Sequence, residues 1–190
     1  MKLFSLEETF NLSIDEVKNL YKTNVSPAQV KLLSAFSFGK DLSDTSEGCY
    51  IFTKSGKKIL DFTGGFGVLN HGHNNQRIIN ARINFQKKKK VEVHKNYLCP
   101  YLAALSHNIA NILPGDLNVS YLPNSGAEAN EGAIKLAYKF HEGKRKYILH
   151  SNISFHGKLL GTGSISASPE VKFNFPGLSN TDTFNWNSIE

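Results

Sequence analysis

The sequence predicts an α/β protein, a parallel sheet with flanking helices that is incomplete as it stands, preceded by a small N-terminal α+β subdomain. Three observations carry that reading. Between Asn118 and His150 a strand-like run, a breaker, a long uninterrupted helix and a second apolar run succeed one another over the length of a βαβ unit. From Cys49 to Phe62 two strand-like runs flank Lys54-Ser55-Gly56-Lys57, the pattern of a hairpin. Ahead of them stand two short amphipathic helices, each with its own start signal. The expected division is residues 1–62 for the subdomain and 63–190 for the first part of a larger α/β domain.

The start signals are Ser13-Ile14-Asp15-Glu16, a capping box, and Ser26-Pro27-Ala28-Gln29, with proline at the first helical position. After the hairpin, the glycine-rich stretch from Thr63 to His73 lets the backbone approach a ligand or a neighbouring subunit, or serves as a plain connector. Helical patterns follow at Gln76 to Lys89 and at Tyr101 to Leu113, the second stopped by Pro114-Gly115. Asn118 to Leu122 reads as a strand broken by Pro123-Asn124, and Ser125-Gly126-Ala127-Glu128 opens a helix that runs to His141. Ala129, Ala133, Ile134, Ala137 and Phe140 give that helix a narrow apolar face of mostly small residues, suited to lying close on a sheet. Gly132 in mid-helix costs about 1 kcal/mol against Ala and points to a close approach. Tyr147 to His150 reads as the next strand, parallel to the first through a right-handed crossover.

That geometry places the helix beginning at Ser125 and the loop after His150 on the same carboxyl edge of one sheet. The Ser125 hydroxyl and the amides of Gly126, Ala127 and Glu128 would form an anion site, where the helix dipole and hydrogen bonds to charge each contribute about 1–3 kcal/mol. Ser154-Phe155-His156-Gly157 would set a flat ring beside it. An anion held at a helix start beside an aromatic face suits a phosphorylated planar heterocycle. Ser125 alone could be a simple N-cap, Phe155 alone a core residue, and His156 either a local hydrogen-bonding group or one acting near the ring.

Composition narrows the classes of function. The excess of 22 Lys and Arg over 16 Asp and Glu gives a net charge of +6, but the charge is scattered apart from Lys87-Lys88-Lys89-Lys90. No aromatics interleave that run as a single-strand groove requires, so it reads as a solvated helix end and no nucleic-acid partner is expected. His71 and His73 lack a carboxylate or third histidine at ligand spacing, and Cys49 and Cys99 are isolated, so no metal is assigned and a reducing compartment is expected. No apolar stretch has the length of a signal peptide core or membrane span, leaving no membrane partner and a cytoplasmic location as the default expectation.

Three segments carry a family resemblance. Asn124 to Ala137, reading NSGAEANEGAIKLA, resembles the phosphate-binding segment of class III pyridoxal-phosphate aminotransferases, and Ser154-Phe155-His156-Gly157-Lys158 resembles their ring-stacking loop. Asp61 to Asn74, reading DFTGGFGVLNHGHN, is similar to the family's early substrate-side segment, most closely in the putrescine and ornithine branch. The resemblance spans Gly48 to Glu190, with Asn75 where the family usually has proline and Leu159 where it commonly has a small hydroxyl residue. It implies a fold-type-I pyridoxal-phosphate-transferase architecture and pyridoxal 5'-phosphate as cofactor, bound by Ser125, Gly126, Ala127, Phe155 and His156. It further implies a substrate-side wall at Gly65, Phe66 and Gly67, an amine or amino acid and a 2-oxo acid as substrates, and a homodimer when complete.

The resemblance also implies two groups that the chain does not display, the Schiff-base lysine and the acid that keeps the pyridine nitrogen protonated. Both follow the ring-stacking loop at a distance in the family. The chain, ending at Asn187-Ser188-Ile189-Glu190 where another helix begins, therefore reads as truncated, without catalytic residues of its own and inactive alone. Two other readings stand beside it. One is a non-catalytic or regulatory fragment that pairs with a companion chain. The other is a nucleotide-binding protein using Thr63-Gly64-Gly65-Phe66-Gly67 or Gly161-Thr162-Gly163-Ser164, neither of which matches the dinucleotide or P-loop fingerprint.

Overall fold

A computed structural model describes residues 3–92, 96–167 and 176–188, and the chain divides into two compact units, Met1–Val93 and His94–Glu190. In the first, α1 (Leu6–Phe10), α2 (Ile14–Asn24) and α3 (Pro27–Ala35) begin at Ser5, Ser13 and Ser26, whose side chains accept the amides of Glu8, Glu16 and Gln29. The capping chemistry foreseen at Ser13 and Ser26 is present, and α1 adds a third start of the same kind. A three-stranded antiparallel sheet follows, β1 (Ser43–Glu47), β2 (Tyr50–Thr53) and β3 (Lys58–Leu60), with Glu47 opposite Tyr50 and Ile51 opposite Ile59. The β2–β3 hairpin turns at Gly56, where φ is +83°, and the Lys54 ammonium caps α1 by donating to the Phe10 and Leu12 carbonyls at 2.5 and 3.1 Å. Gly64–Gly67 forms one turn, α4, and Gln76–Lys87 forms α5.

In the second unit, α6 (Pro100–Ile112) and α7 (Gly126–Phe140) precede β4 (Ile148–Ser151), a short α8 (Leu160–Ser164) and β5 (Thr181–Phe184). β4 and β5 are parallel, Ile148 opposite Thr181 and Ser151 opposite Phe184. The parallel ladder is thus present, but between different strands from those the βαβ reading joined. Asn118–Leu122 makes no ladder with β4 or with any other described strand. The helix expected from Asn187 lies partly beyond the described residues, and Asn187 itself has φ +58°. Gly132 does what its place in α7 suggested: a Cβ there would stand 2.7 Å from the Tyr121 ring.

Among the described residues the buried apolar side chains are Val30 in the first unit and Ile165 in the second. The small-residue face of α7 does turn toward β4. Ala133, Ile134 and Ala137 line one wall of a groove of about 660 Å³ whose other wall includes Ile148, Leu149 and Ile165. The face is aimed at the sheet without being filled against it, and Leu136 and Phe140 stand exposed.

Candidate functional site

The residues expected to meet an anion sit at the first turn of α7. Ser125 is the N-cap, with extended backbone (φ −150°, ψ 161°), and its hydroxyl accepts the Glu128 amide at 3.2 Å. The Glu128 carboxylate in turn accepts the Asn124 amide at 2.7 Å. This corrects one detail of the sequence reading: the Glu128 amide is committed to the cap, which leaves the Gly126 and Ala127 amides, the two that have no acceptor inside a helix. A Cβ built on Gly126 meets nothing within 4 Å, so the space over those amides is open.

The loop after β4 packs directly on that turn. Gly157 comes so close that a Cβ there would lie 2.5 Å from the Ala127 Cβ and 2.9 Å from its Cα, at a φ of +131° that also favours glycine. Asn130, one turn into α7, donates from Nδ2 to the His156 carbonyl at 2.9 Å. Glu131 accepts the Thr162 amide on Oε1 at 2.8 Å, and Gly161 lies so near that a Cβ would stand 2.7 Å from both carboxylate oxygens. Beneath the loop the fully buried Ser166 hydroxyl accepts the His156 amide at 3.0 Å and reaches the carbonyls of Gly157 and Thr162 at 3.1 and 2.9 Å. Thr162, also fully buried, accepts the Leu159 amide, and the Ser154 hydroxyl donates to the Ile165 carbonyl at 2.8 Å. Buried polar groups satisfied in this density fix one loop conformation.

That conformation leaves Phe155 64% exposed and His156 half-buried. Both line a cavity of about 460 Å³ at the carboxyl ends of β4 and β5, shared with His150, Phe184 and Trp186, the chain's one tryptophan. The structure therefore brings the Ser125–Ala127 turn against the Phe155–Gly157 loop. The part that Asn130, Glu131, Thr162 and Ser166 play in holding the two together is not legible in the sequence. The glycines Gly157 and Gly161 were the available signal, since each marks a place where a backbone must pass close to another element.

Gly65, Phe66 and Gly67 belong to the first unit. They form a turn in the left-handed region, with φ of 64°, 61° and 82°, and the Phe66 side chain at its apex is 100% exposed. The ends of the segment are tied together. Asp61 Oδ1 accepts the Thr63 amide and hydroxyl at 3.0 and 2.8 Å and the Gly64 amide at 3.0 Å, and Oδ2 meets His73 Nε2 at 2.8 Å. The Thr63 hydroxyl first, then His73 and the Gly64 amide, hold the Asp61 carboxyl down to about 2. The His73 backbone exchanges hydrogen bonds with Gly48, and Gly72 passes within 2.8 Å of the Gly48 carbonyl, measured from the Cβ it lacks. Asn75 caps α5 by accepting the Arg77 amide at 3.1 Å, which does at this helix start what a proline could do there by fixing φ. Among the described residues no three His, Cys, Asp or Glu side chains gather as a metal site, and no helix is long and apolar enough to cross a membrane.

Residues 41–185 match the family described as aminotransferase class-III. The chain belongs to the class-III aminotransferases. An acetylornithine aminotransferase from Prochlorococcus marinus is 31% identical over 169 residues, 86% of this chain and 40% of that protein. A putrescine aminotransferase from Pectobacterium atrosepticum is 30% identical over 168 residues, 86% of this chain and 36% of that protein. The class-III chain thus spans about two-fifths of the length of these relatives. An (S)-enantioselective omega-transaminase from Thermomicrobium roseum shares the fold with a TM-score of 0.76 at 21% identity, over 97% of this chain and 41% of its own. A taurine:2-oxoglutarate aminotransferase from Bifidobacterium kashiwanohense, solved in complex with PLP and glutamate, does so with a TM-score of 0.70 at 22% identity, over 92% of this chain and 38% of its own. The architecture is that of fold-type-I transaminases in part, and class-III aminotransferases are pyridoxal-phosphate enzymes.

Proposed function

We propose that these residues are the N-terminal part of a pyridoxal-phosphate-dependent aminotransferase that moves an amino group between an amine or amino acid and a 2-oxo acid. The observation that carries the proposal is the packing of Gly157 on Ala127, which sets a helix start with two uncommitted amides against the loop that carries Phe155. The fit to the cofactor is chemical as well as positional. The open space over Gly126 accepts a dianion at the positive end of a fifteen-residue helix, and Ser125 adds a hydroxyl. Phe155 offers an exposed face to a planar ring, and His156 borders the same cavity. Bound there, the cofactor supplies an electron sink for carbanion chemistry. This chain's contribution is to hold the phosphate at Ser125, Gly126 and Ala127 and to orient the ring with Phe155; Gly65, Phe66 and Gly67, in the first unit, are proposed as substrate-side residues of the complete protein.

In the complete protein the division proposed is a subdomain of residues 1–62 and the first part of the large domain from residue 63, in a cytoplasmic homodimer. The 190 residues alone are proposed to turn over no amine donor. Lys158, the lysine nearest the stacking residue in sequence, is exposed, and Lys172 lies outside the described residues. Borohydride reduction of the chain with pyridoxal phosphate should give weak labelling spread over several lysines. Stoichiometric labelling at one lysine together with turnover would sink this reading.

The direct test uses Trp186, which shares the Phe155 cavity, as a fluorescence reporter. Pyridoxal phosphate should quench it saturably, with unphosphorylated pyridoxal at least about tenfold weaker, the loss expected for a charge-assisted contact. Gly126→Val, whose side chain would occupy the open space, should erase that preference. Equal affinity for the two compounds in the parent chain would refute the phosphate assignment. A second reading, a fragment that pairs with a companion chain, is favoured by the unfilled groove along α7. The nucleotide reading draws no support at Gly161-Thr162-Gly163-Ser164, since Gly161, Thr162 and Gly163 are buried in α8.

A further inference from the structure

The two halves of the proposed cofactor site are joined by side chains that lie outside it. We propose that Asn130 and Glu131 are positioning residues, which lock the ring-stacking loop to the phosphate-binding turn so that Phe155 is presented at a fixed place relative to Ser125–Ala127. This rests on the reading of the site given above. α7 carries the phosphate turn at its first residues and, one turn later, turns two neighbouring polar side chains onto the loop that follows β4. The Asn130 amide donates to the carbonyl of His156, the residue next to Phe155, so the stacking residue is tethered at its own C-terminal neighbour. The Glu131 carboxylate takes the Thr162 amide, at the start of α8, and thereby fixes the other end of the loop.

The contacts are specific in shape. Gly157 faces the Ala127 backbone at a distance no Cβ would tolerate and at a left-handed φ, whereas a Cβ on Gly161 would meet only the Glu131 carboxylate and push it off the Thr162 amide. The close approach to α7 thus requires glycine at Gly157, and the Glu131 contact favours it at Gly161. Ser166 and Thr162 satisfy the loop's inner carbonyls and amides, so the loop is rigid within itself, and its hydrogen bonds to α7 among the contacts described are those of Asn130 and Glu131. Removing the Glu131 charge therefore loosens the loop against a helix that stays intact, because the α7 cap is made by Ser125 and Glu128 instead.

That separation makes the proposal testable on the 190-residue chain. Three ligands are titrated against Trp186 fluorescence: pyridoxal phosphate, pyridoxal and, by competition, inorganic phosphate. In Glu131→Gln, which keeps size and an acceptor oxygen but loses charge, pyridoxal phosphate should weaken about tenfold, roughly 1.4 kcal/mol. Inorganic phosphate, which needs only the α7 turn, should keep its affinity. Asn130→Ala should do the same to a lesser degree, and Glu131→Asp should recover part of the loss. Hydrogen exchange provides an independent readout, with faster exchange over residues 155–163 in both variants and unchanged exchange over 126–140. A loss that is equal for phosphate and pyridoxal phosphate would overturn the positioning role, because it would mean that the helix start itself had failed. Unchanged exchange of the loop would overturn it too. If the parent chain bound neither ligand saturably while the variants still released the loop, the site reading would fall and the latch would stand.

Discussion

The first turns of α7 and the turns that follow have opposite fates. In the first, Asn130 and Glu131 are joined to the loop of residues 154–166 through hydrogen bonds of 2.8–2.9 Å, over buried Thr162 and Ser166. Beyond them, Ala133, Ile134 and Ala137 continue the Asn130 face along a groove of about 660 Å³, and Phe140 at the helix end is exposed. The polar turns close because everything they need lies within these residues and because hydrogen bonds are directional and short-ranged. The apolar turns are a matter of area. A helix stripe of alanines gains little until a broad surface is pressed against it, and a two-stranded sheet is too narrow to do so. Rigidity in this unit is therefore concentrated where the chemistry is proposed, and the scaffold around it is loose.

The comparison can be broken at its tightest point first. Gly157→Val would drive a branched side chain into Ala127 at a left-handed φ, and should lower the free energy of local opening of the 154–166 loop by about 1–3 kcal/mol, read by hydrogen exchange. An unchanged loop would show that the close approach is not real. The first unit offers a parallel case in the Asp61 tie. Its carboxyl is lowered to about 2 in the folded state against an ordinary value near 3.9, so the stability it supplies is present above about pH 4 and is lost as pH falls through 2. The Gly64 amide resonance should hold its low-field position down to pH 4 and move only below it, and Asp61→Asn should abolish that titration and loosen residues 62–72. A midpoint near 4 in the parent would contradict the tie.

Smaller effects sharpen the picture. Phe155→Leu should leave the loop in place and reduce affinity for pyridoxal phosphate by roughly 0.5–1.5 kcal/mol, about threefold to tenfold in the quenching titration. Ala137→Leu, in the open turns of α7, should fall within about 0.5 kcal/mol of neutral, since the groove has room for the added carbons. A large penalty there would mean that the groove is closed in solution and that the first and later turns of α7 are not so different.

The sequence disclosed the parts of this structure that are decided within a few residues. Ser13, Ser26 and Ser125 each cap the helix that follows, the Gly56 turn makes the hairpin, and Tyr147–His150 overlaps β4. The Ser125 and Phe155 segments do lie side by side, through Gly157 on Ala127, although only the second of them follows a strand. β1 was invisible because Ser43-Asp44-Thr45-Ser46-Glu47 has no apolar alternation and is a strand only by pairing with β2. Asn118–Leu122 looked like a strand and makes none, because a ladder is a property of two segments and its neighbour was misjudged. The latch could not be read for a similar reason: Asn130 and His156, or Glu131 and Thr162, are ordinary residues whose significance lies in a contact made across 26 and 31 positions of chain.

The narrow parallel ladder has a consequence for the life of the chain in a cell. Among the described residues β4 is paired with β5 on one side only, and Leu149 within it and Tyr147 and Ile153 beside it are exposed. An open strand edge with apolar neighbours is the signature by which chaperones and proteases recognise unfinished proteins. Covered by further strands, these residues would confer a long lifetime. Left open, they would leave the same sequence to such surveillance, so the abundance of the chain would report on how often its edge is covered.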